Sequence, residues 1–423
     1  MPGILESIDM TMRSTLGSNW STRWARAATA VALGIALGAC GNMLEVQNEQ
    51  DVLDTNLDSP DAIAPMLTGV AGDFALAYSD VAVIGGLFGG ELIHTGSFPT
   101  WREVETGFGR RPSGTGNQLY NEISRAIWVA DTAAVRISKV VAKPDSSSEV
   151  AEVKIYGAFA HLLMADHFCQ ATINGGPAIT PDSMYKRAET KFTEALAIAT
   201  KMNKADLKNR ALAGRARARL MLKNYTGARD DAKLIPSTPS PFRFNAIYSA
   251  NSTRENNSVA TQTTTLIRRE AGVNPRFYND PLYKADPRTP FRDKGDTAKG
   301  PDPIRKFVEQ LKYPLRETPI AISSWQEARL IEAESEARLD NLPRAVTLIN
   351  EVRAASSLTP FSGGTKAEVL NQLYYERSAE LWLQGQSLSD LRRFDHPFLA
   401  TRLDKCFEIG QLEWDNNPNL GAH

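Results

Sequence analysis

The sequence predicts an all-α fold of stacked helix pairs, with a large irregular, loop-rich insert between two sets of pairs. Three observations carry that prediction. Apolar residues recur at helical spacing through 149–168, 183–202, 206–222 and 225–235, and again through 324–340 and 342–355. A shift of 117 residues lays part of the first set on the second: Ala211 on Ala328, Ala216 on Ala333, Leu222 on Leu339, Asn224 on Asn341 and Ala228 on Ala345. Between the two sets, residues 236–320 hold 11 of the 23 prolines, which leaves no stretch for a helix of ordinary length.

The totals exclude several classes. The chain has 423 residues, enough for one large or two ordinary domains. Its 48 basic and 49 acidic side chains nearly cancel, so nothing points to nucleic acid. Three cysteines, at 40, 169 and 406, make neither a disulfide framework nor a thiolate metal site. Cys169 and Cys406 are compatible with one disulfide or with buried free thiols. His161 and His167 lie six residues apart, not at the i,i+4 spacing that pairs ligands on a helix, so no metal or cofactor is expected. No Gly-x-Ser-x-Gly elbow is present, and the GDTAKG run from Gly295 has Pro301 where a phosphate loop needs lysine. No motif nominates a carboxylate pair, and the expectation is that the protein is not an enzyme.

At the N-terminus, Arg13, Arg23 and Arg26 precede an uncharged run of thirteen residues, Ala27 to Ala39. That is too short to span a bilayer and suits a signal peptide over residues 1–39, with Met10 or Met12 as possible starts. The run ends Leu37-Gly38-Ala39-Cys40, which resembles the bacterial lipobox, in which the cysteine is lipidated. Removing 1–39 takes away three Arg, one Glu and one Asp, leaving 45 basic and 47 acidic residues, or −2. No later segment is expected to cross the membrane, and a multiply acylated Cys40 would anchor the chain stably.

Residues 41–58 read as extended. Ser59-Pro60-Asp61 then starts a helix through the apolar series Ile63, Met66, Leu67, Val70 and Phe74. Nine glycines over 85–116, interleaved with Phe98, Trp101 and Phe108, predict an irregular stretch, before a helix from Gln118 to Val140. The matched segments at 206–235 and 324–355 resemble degenerate tetratricopeptide helix pairs. In such pairs small residues let helices approach closely, and neighbours must stack to bury their faces.

In the insert, aromatics are spread among turns, and such loops on a rigid scaffold are where binding residues gather. Trp101, Tyr278 and Tyr283 are the aromatic candidates for a ligand face, with Arg276 and Asp280 as polar partners. An aromatic face matches the apolar C–H face of a sugar, and polar neighbours meet its hydroxyls. Each aromatic has a competing reading as a loop anchor.

Near the C-terminus the chain reads Glu376-Arg377, Glu380, Gly385, then Asp390-Leu391-Arg392-Arg393. Val369, Leu370, Leu373, Tyr374 and Leu381 make this a buried helix that stops at Gly385. Charges on such a helix need partners, and Arg392 or Arg393 could supply the pairing cations. This order of residues resembles the C-terminal signature of the SusD/RagB family. Asp286-Pro287-Arg288 resembles a shorter family motif, and Cys40 and the helix pairs agree. The chain departs from the pattern at Gln386-Ser387-Leu388, and it is short for a glycan-binding member.

The resemblance implies a single domain over 40–423, with its irregular insert at about 236–320, on the surface of the outer membrane. It implies capture of a nutrient, typically an oligosaccharide, and delivery to a SusC-like TonB-dependent β-barrel transporter. The alternatives are a helical-repeat lipoprotein that acts as a protein–protein scaffold, and an extracytoplasmic hydrolase.

Overall fold

The computed structural model describes residues 54–111 and 113–421. The signal peptide expected over 1–39 and the lipidated Cys40 lie outside the described residues. Leu57–His423 forms one compact unit. Its helices run in sequence as α1 (Ile63–Phe88), α2 (Pro99–Glu105), α3 (Gly114–Val140), α4 (Ser148–His167), α5 (Pro181–Lys201), α6 (Ala205–Met221) and α7 (Tyr225–Ala232). After the insert come α11 (Trp325–Arg338), α12 (Leu342–Ala355), α13 (Lys366–Glu380) and α14 (Ser387–Arg393). The fold is the expected helical stack, with each of α3 to α6 packed on its successor, α7 packed on α11 and α11 packed on α12.

The 117-residue match has a physical basis. Ala211, Ala216 and Ala228, like Ala328, Ala333 and Ala345, are all buried, because each sits where two helices touch. In both copies the turn is made by a non-glycine residue in the left-handed region, Lys223 (φ +60°) and Asp340 (φ +65°), which are again 117 apart. In the first copy Asn224 then accepts from Gly227 N at 3.0 Å and starts α7. Close approach reaches its limit at Gly214, where a Cβ would stand 2.1 Å from the Phe192 ring. The two sets of helices are joined by a buried ion pair: Arg217 Nε and Nη2 donate to the Glu327 carboxylate at 2.6 and 2.7 Å.

Helix α1 is long and apolar enough to cross a membrane by length and composition, contrary to the expectation that no later segment is. It is a core helix instead: 78% of its apolar window is buried inside the fold. It also runs on through Gly85 and Gly86, where the sequence predicted irregular chain. A Cβ at Gly85 would be 2.6 Å from His167 Nε2, so the glycine lets α1 cross α4. Glycine marks contact there rather than a break.

Within residues 236–320 the elements are short: β2 (Arg243–Ala246), α8 (Ser258–Thr263), β3 (Ala271–Val273), α9 (Pro275–Asn279), α10 (Pro281–Lys284), β4 (Phe291–Asp293) and β5 (Val308–Gln310). Their strands form three two-stranded antiparallel sheets, β1 (Leu92–His94) with β3, β2 with β6 (Ile320–Ser324), and β4 with β5. Each sheet ties the insert to another part of the chain or to itself. Cys169 and Cys406 are disulfide-bonded, with Cα atoms 5.3 Å apart, which settles the pairing that the sequence left open.

The C-terminal signature is a charge lock. Arg377 donates from Nε to Asp390 Oδ2 at 2.8 Å and from Nη2 to Asp390 Oδ1 at 3.0 Å. Arg393 pairs with the same carboxylate at 2.8 Å and with Glu334 of α11 at 2.8 Å. Burial would raise the Asp390 carboxyl, but Arg377 and Arg393 hold it below the usual carboxylate range. The pairing expected for Glu376 is corrected. Its cations are Arg288 at 2.7 Å and Arg353, while Arg392 donates to the carbonyls of Ala165 and Asp166. Arg288 also pairs with Asp286 at 2.8 Å, so the Asp286-Pro287-Arg288 motif fastens the insert to α13. Gly385, at φ +71°, turns the chain where a Cβ would stand 2.7 Å from Val81.

Candidate functional site

A cavity of about 390 Å³ lies where α1, α2, the start of α3 and the insert meet. Asp80, Val83 and Ile84 come from α1, and Thr100 and Trp101 from α2. Thr115, Gln118 and Glu122 come from α3, and Ser258, Gln262 and Arg268 from the insert. Phe98 and Pro99 start α2, with Pro99 at a position that suits its fixed φ and missing N–H. The short helix would be unstable alone, and ion pairs fasten it to the insert: Arg102 to Asp302, and Glu105 to Arg305. Glu270 accepts from Ser97 N at 2.6 Å and Thr95 Oγ1 donates to the Arg269 carbonyl at 2.9 Å, which closes the same seam.

Inside the cavity, apolar and polar surfaces face each other. The Phe98 and Trp101 rings meet edge to face, with centroids 5.5 Å apart, and the Arg268 guanidinium lies 5.4 Å from the Phe98 ring centre. Trp101 is half-buried. Two interacting carboxyls, Asp80 and Glu122, line the same cavity. Burial, then the charge of Asp80, push Glu122 up to about 8, and burial raises Asp80 as well. Near neutral pH the pair therefore keeps a proton. Gln118 Nε2 donates to Glu122 Oε1 at 2.8 Å and fixes its plane. Gln262 Oε1 is buried without a partner among the described residues. Such a site offers an aromatic face together with both hydrogen-bond donors and acceptors.

The structure separates the residues singled out in the sequence. Trp101 lines the cavity. Arg276 and Tyr283 come together elsewhere: the Arg276 guanidinium lies 4.6 Å from the Phe277 ring centre and 5.8 Å from that of Tyr283. Tyr283 is itself buried, 4.8 Å from Phe277 and 5.1 Å from Tyr375. Asp280 caps α10, accepting from Leu282 N at 2.9 Å. Tyr278 is half-buried beside Phe291, with Lys306 Nζ 5.4 Å from its ring centre. Asp80, Glu122 and Gln262 were missed. The available signal was an isolated acid, Asp80, in the otherwise uncharged apolar run from Phe74 to Phe88. Among the described residues no group of three or more His, Cys, Asp or Glu is placed to hold a metal ion.

Comparison with known proteins gives the same picture of the fold. A SusD superfamily protein from Bacteroides fragilis superposes with a TM-score of 0.69 at 11% identity, over 86% of this chain and 98% of its own. One from Bacteroides vulgatus gives 0.68 at 15% identity, over 85% of this chain and 98% of its own. A SusD-like carbohydrate binding protein from the same species gives 0.60 at 17% identity, over 79% and 83%. No curated protein matches the sequence. The sequence model of the SusD family matches residues 325–416, the stretch that contains α11 to α14 and the charge lock. The lock, the stacked pairs and the superposed folds agree: the chain shares the fold of these SusD superfamily proteins, and its C-terminal part matches the SusD family model.

Proposed function

We propose that the protein captures an oligosaccharide nutrient in the Trp101 cavity and delivers it to a SusC-like TonB-dependent transporter. In this reading it is an outer-membrane lipoprotein, surface-exposed and anchored through Cys40, with a single domain over 40–423. The observation that carries the reading is the cavity itself. An aromatic surface from Phe98 and Trp101 faces a carboxyl pair, an amide oxygen and a guanidinium, the combination that a sugar ring and its hydroxyls require. A SusD-like carbohydrate binding protein has the same fold, which supports the reading.

The site binds rather than cleaves. A glycosidase needs its two carboxyls about 5 Å apart or more, flanking the bond. Asp80 and Glu122 act on each other at close range, which speaks against one standing on each side of a scissile bond. Tyr278 remains an outlying position where a longer glycan would reach, and Arg276, Asp280 and Tyr283 shape the insert behind it.

The test is a binding measurement on a panel of oligosaccharides with wild type and Trp101→Ala. The expected result is a loss of about tenfold or more in affinity, since a stacking ring contributes on the order of 1–3 kcal/mol. Unchanged affinity would remove this cavity from the reading. Pull-down from detergent-solubilised outer membranes tests delivery: a stoichiometric large β-barrel is expected, and a soluble assembly instead would favour a scaffold.

A further inference from the structure

A second cleft of about 400 Å³ lies against the first, lined by Thr265, Arg269, Arg292, Lys294, Lys299 and Glu309 among others. The two share a wall. Gln262 and Arg268 face the Trp101 cavity, while Thr265 and Arg269, within the same eight residues, face the cleft.

The charges of the cleft do not cancel. Arg292 is matched by Glu309 at 2.6 Å, and Lys306 by Asp293 at 2.8 Å and Asp296 at 3.4 Å. Asp302 is taken by Arg102, Glu105 by Arg305, and Glu270 by Ser97. Of these, Glu270 alone is held by a neutral partner and meets no cation among the described residues. Arg268, Arg269, Lys294 and Lys299 pair with no carboxylate among the described residues, and the one polar contact of Lys299 Nζ is the Ile304 carbonyl at 2.8 Å.

The arrangement is also held. Arg269 has φ +58°, in the left-handed region that a long side chain rarely adopts. Its Nη1 donates to the Lys299 carbonyl at 2.9 Å, which fixes the guanidinium at the cleft wall. Gly300 permits the approach, because a Cβ there would be 2.6 Å from the Arg269 carbonyl. Backbone strain held by surrounding contacts gathers at binding sites. Three like charges on the cleft, with Arg268 at its junction with the cavity, have no ion-pair partner among the described residues and repel one another, and an anion relieves that cost.

We propose that this cleft is an anion site, and that the ligand reaching it from the Trp101 cavity is an oligosaccharide carrying carboxylate or sulfate groups. The proposal rests on the carbohydrate reading of that cavity and adds its charge class. The sugar ring stacks at Trp101, Arg268 stands at the junction, and Arg269, Lys294 and Lys299 receive the acidic group. Arg269 is suited to the planar, two-point geometry of a carboxylate, and the lysines act as point charges.

The experiment is calorimetric titration of the full chain in detergent with matched pairs. One pair is tetragalacturonate and its methyl ester. The other is a sulfated oligosaccharide and its desulfated form. The pair with the larger difference identifies uronate or sulfate as the group read. The charged member is expected to bind about tenfold or more tighter than its neutral twin, with the difference shrinking as salt is raised from 0.05 to 0.5 M, values chosen on the order of the Debye-screening range. Lys294→Gln, an exposed change that spares the fold, and Arg269→Lys are each expected to lower affinity for the charged member by about fivefold or more and leave the neutral twin unchanged. Equal binding of both twins, unaffected by the variants, overturns the proposal while leaving a carbohydrate site in place. Binding of neither member of any pair overturns both. Binding of a penta-glutamate peptide as tight as that of the charged glycan overturns the assignment to oligosaccharides.

Discussion

At the C-terminal junction, Arg288, Arg377 and Arg393 have side chains no more than 6% exposed, and each meets at least one carboxylate. In the cleft beside the Trp101 cavity, Arg269, Lys294 and Lys299 meet none, nor does Arg268 at the junction of the two. The same residue types do different work because their surroundings differ. A buried cation without a partner costs several kcal/mol, so the junction must be complete for the chain to fold. An exposed cation costs little, so the cleft can leave its charge open for something else. Pairing that is finished inside the chain marks architecture, and pairing left unfinished at a concave surface marks binding.

The largest effect expected from breaking this contrast is at the junction. Arg377→Ala leaves Asp390 buried with Arg393 as its remaining charge partner and removes two charge-assisted hydrogen bonds. The expected loss is about 3–5 kcal/mol in unfolding free energy, measured by denaturant titration. A loss below about 1 kcal/mol would mean that the junction tolerates open charge as the cleft does. Next comes Gly385→Ala, where φ +71° and the contact with Val81 at 2.7 Å both oppose a side chain. About 1–3 kcal/mol is expected by the same measurement, because Val81 is fully buried and cannot move aside.

How far these regions could be read from sequence follows from the range of their contacts. The repeat was legible because its determinants are local: alanines at helical spacing, and a turn of fixed length. The turn geometry was not, since Lys223 does not advertise a left-handed conformation and Asp340 does so only weakly. The junction was legible as a charge pattern but not as a set of partners. Glu376 finds Arg288, 88 positions away, rather than the nearby Arg392. In the cavity, Trp101 stood out as an aromatic among glycines. Asp80 and Glu122 did not, because each lies on a helix that reads as scaffold and only the crossing of α1 and α3 brings them together. Tyr283 has the same composition signal as Trp101 but faces Phe277 and Tyr375 in the interior, a difference that no local pattern carries.

The smallest effect concerns the carboxyl pair, which stands between the two regions in kind: buried like the junction, yet completed by a proton instead of a cation. Burial and the Asp80 charge hold the Glu122 proton up to about 8 in the folded protein, against an ordinary value of 4.5. Between those values the unfolded chain has released a proton that the folded chain keeps. Stability therefore falls as pH rises through that window and levels off above about 8. Glu122→Gln retains an oxygen to accept from Gln118 and cannot ionise. It is expected to flatten this decline and to unfold at a higher temperature than wild type at pH 8, with the two closest near pH 5, roughly where the unfolded carboxyl begins to titrate. Thermal unfolding of both proteins across that range decides the matter. Parallel curves would mean that Asp80 and Glu122 are both ionised in the folded protein, and that the cavity meets its ligand with two negative charges instead of a shared proton.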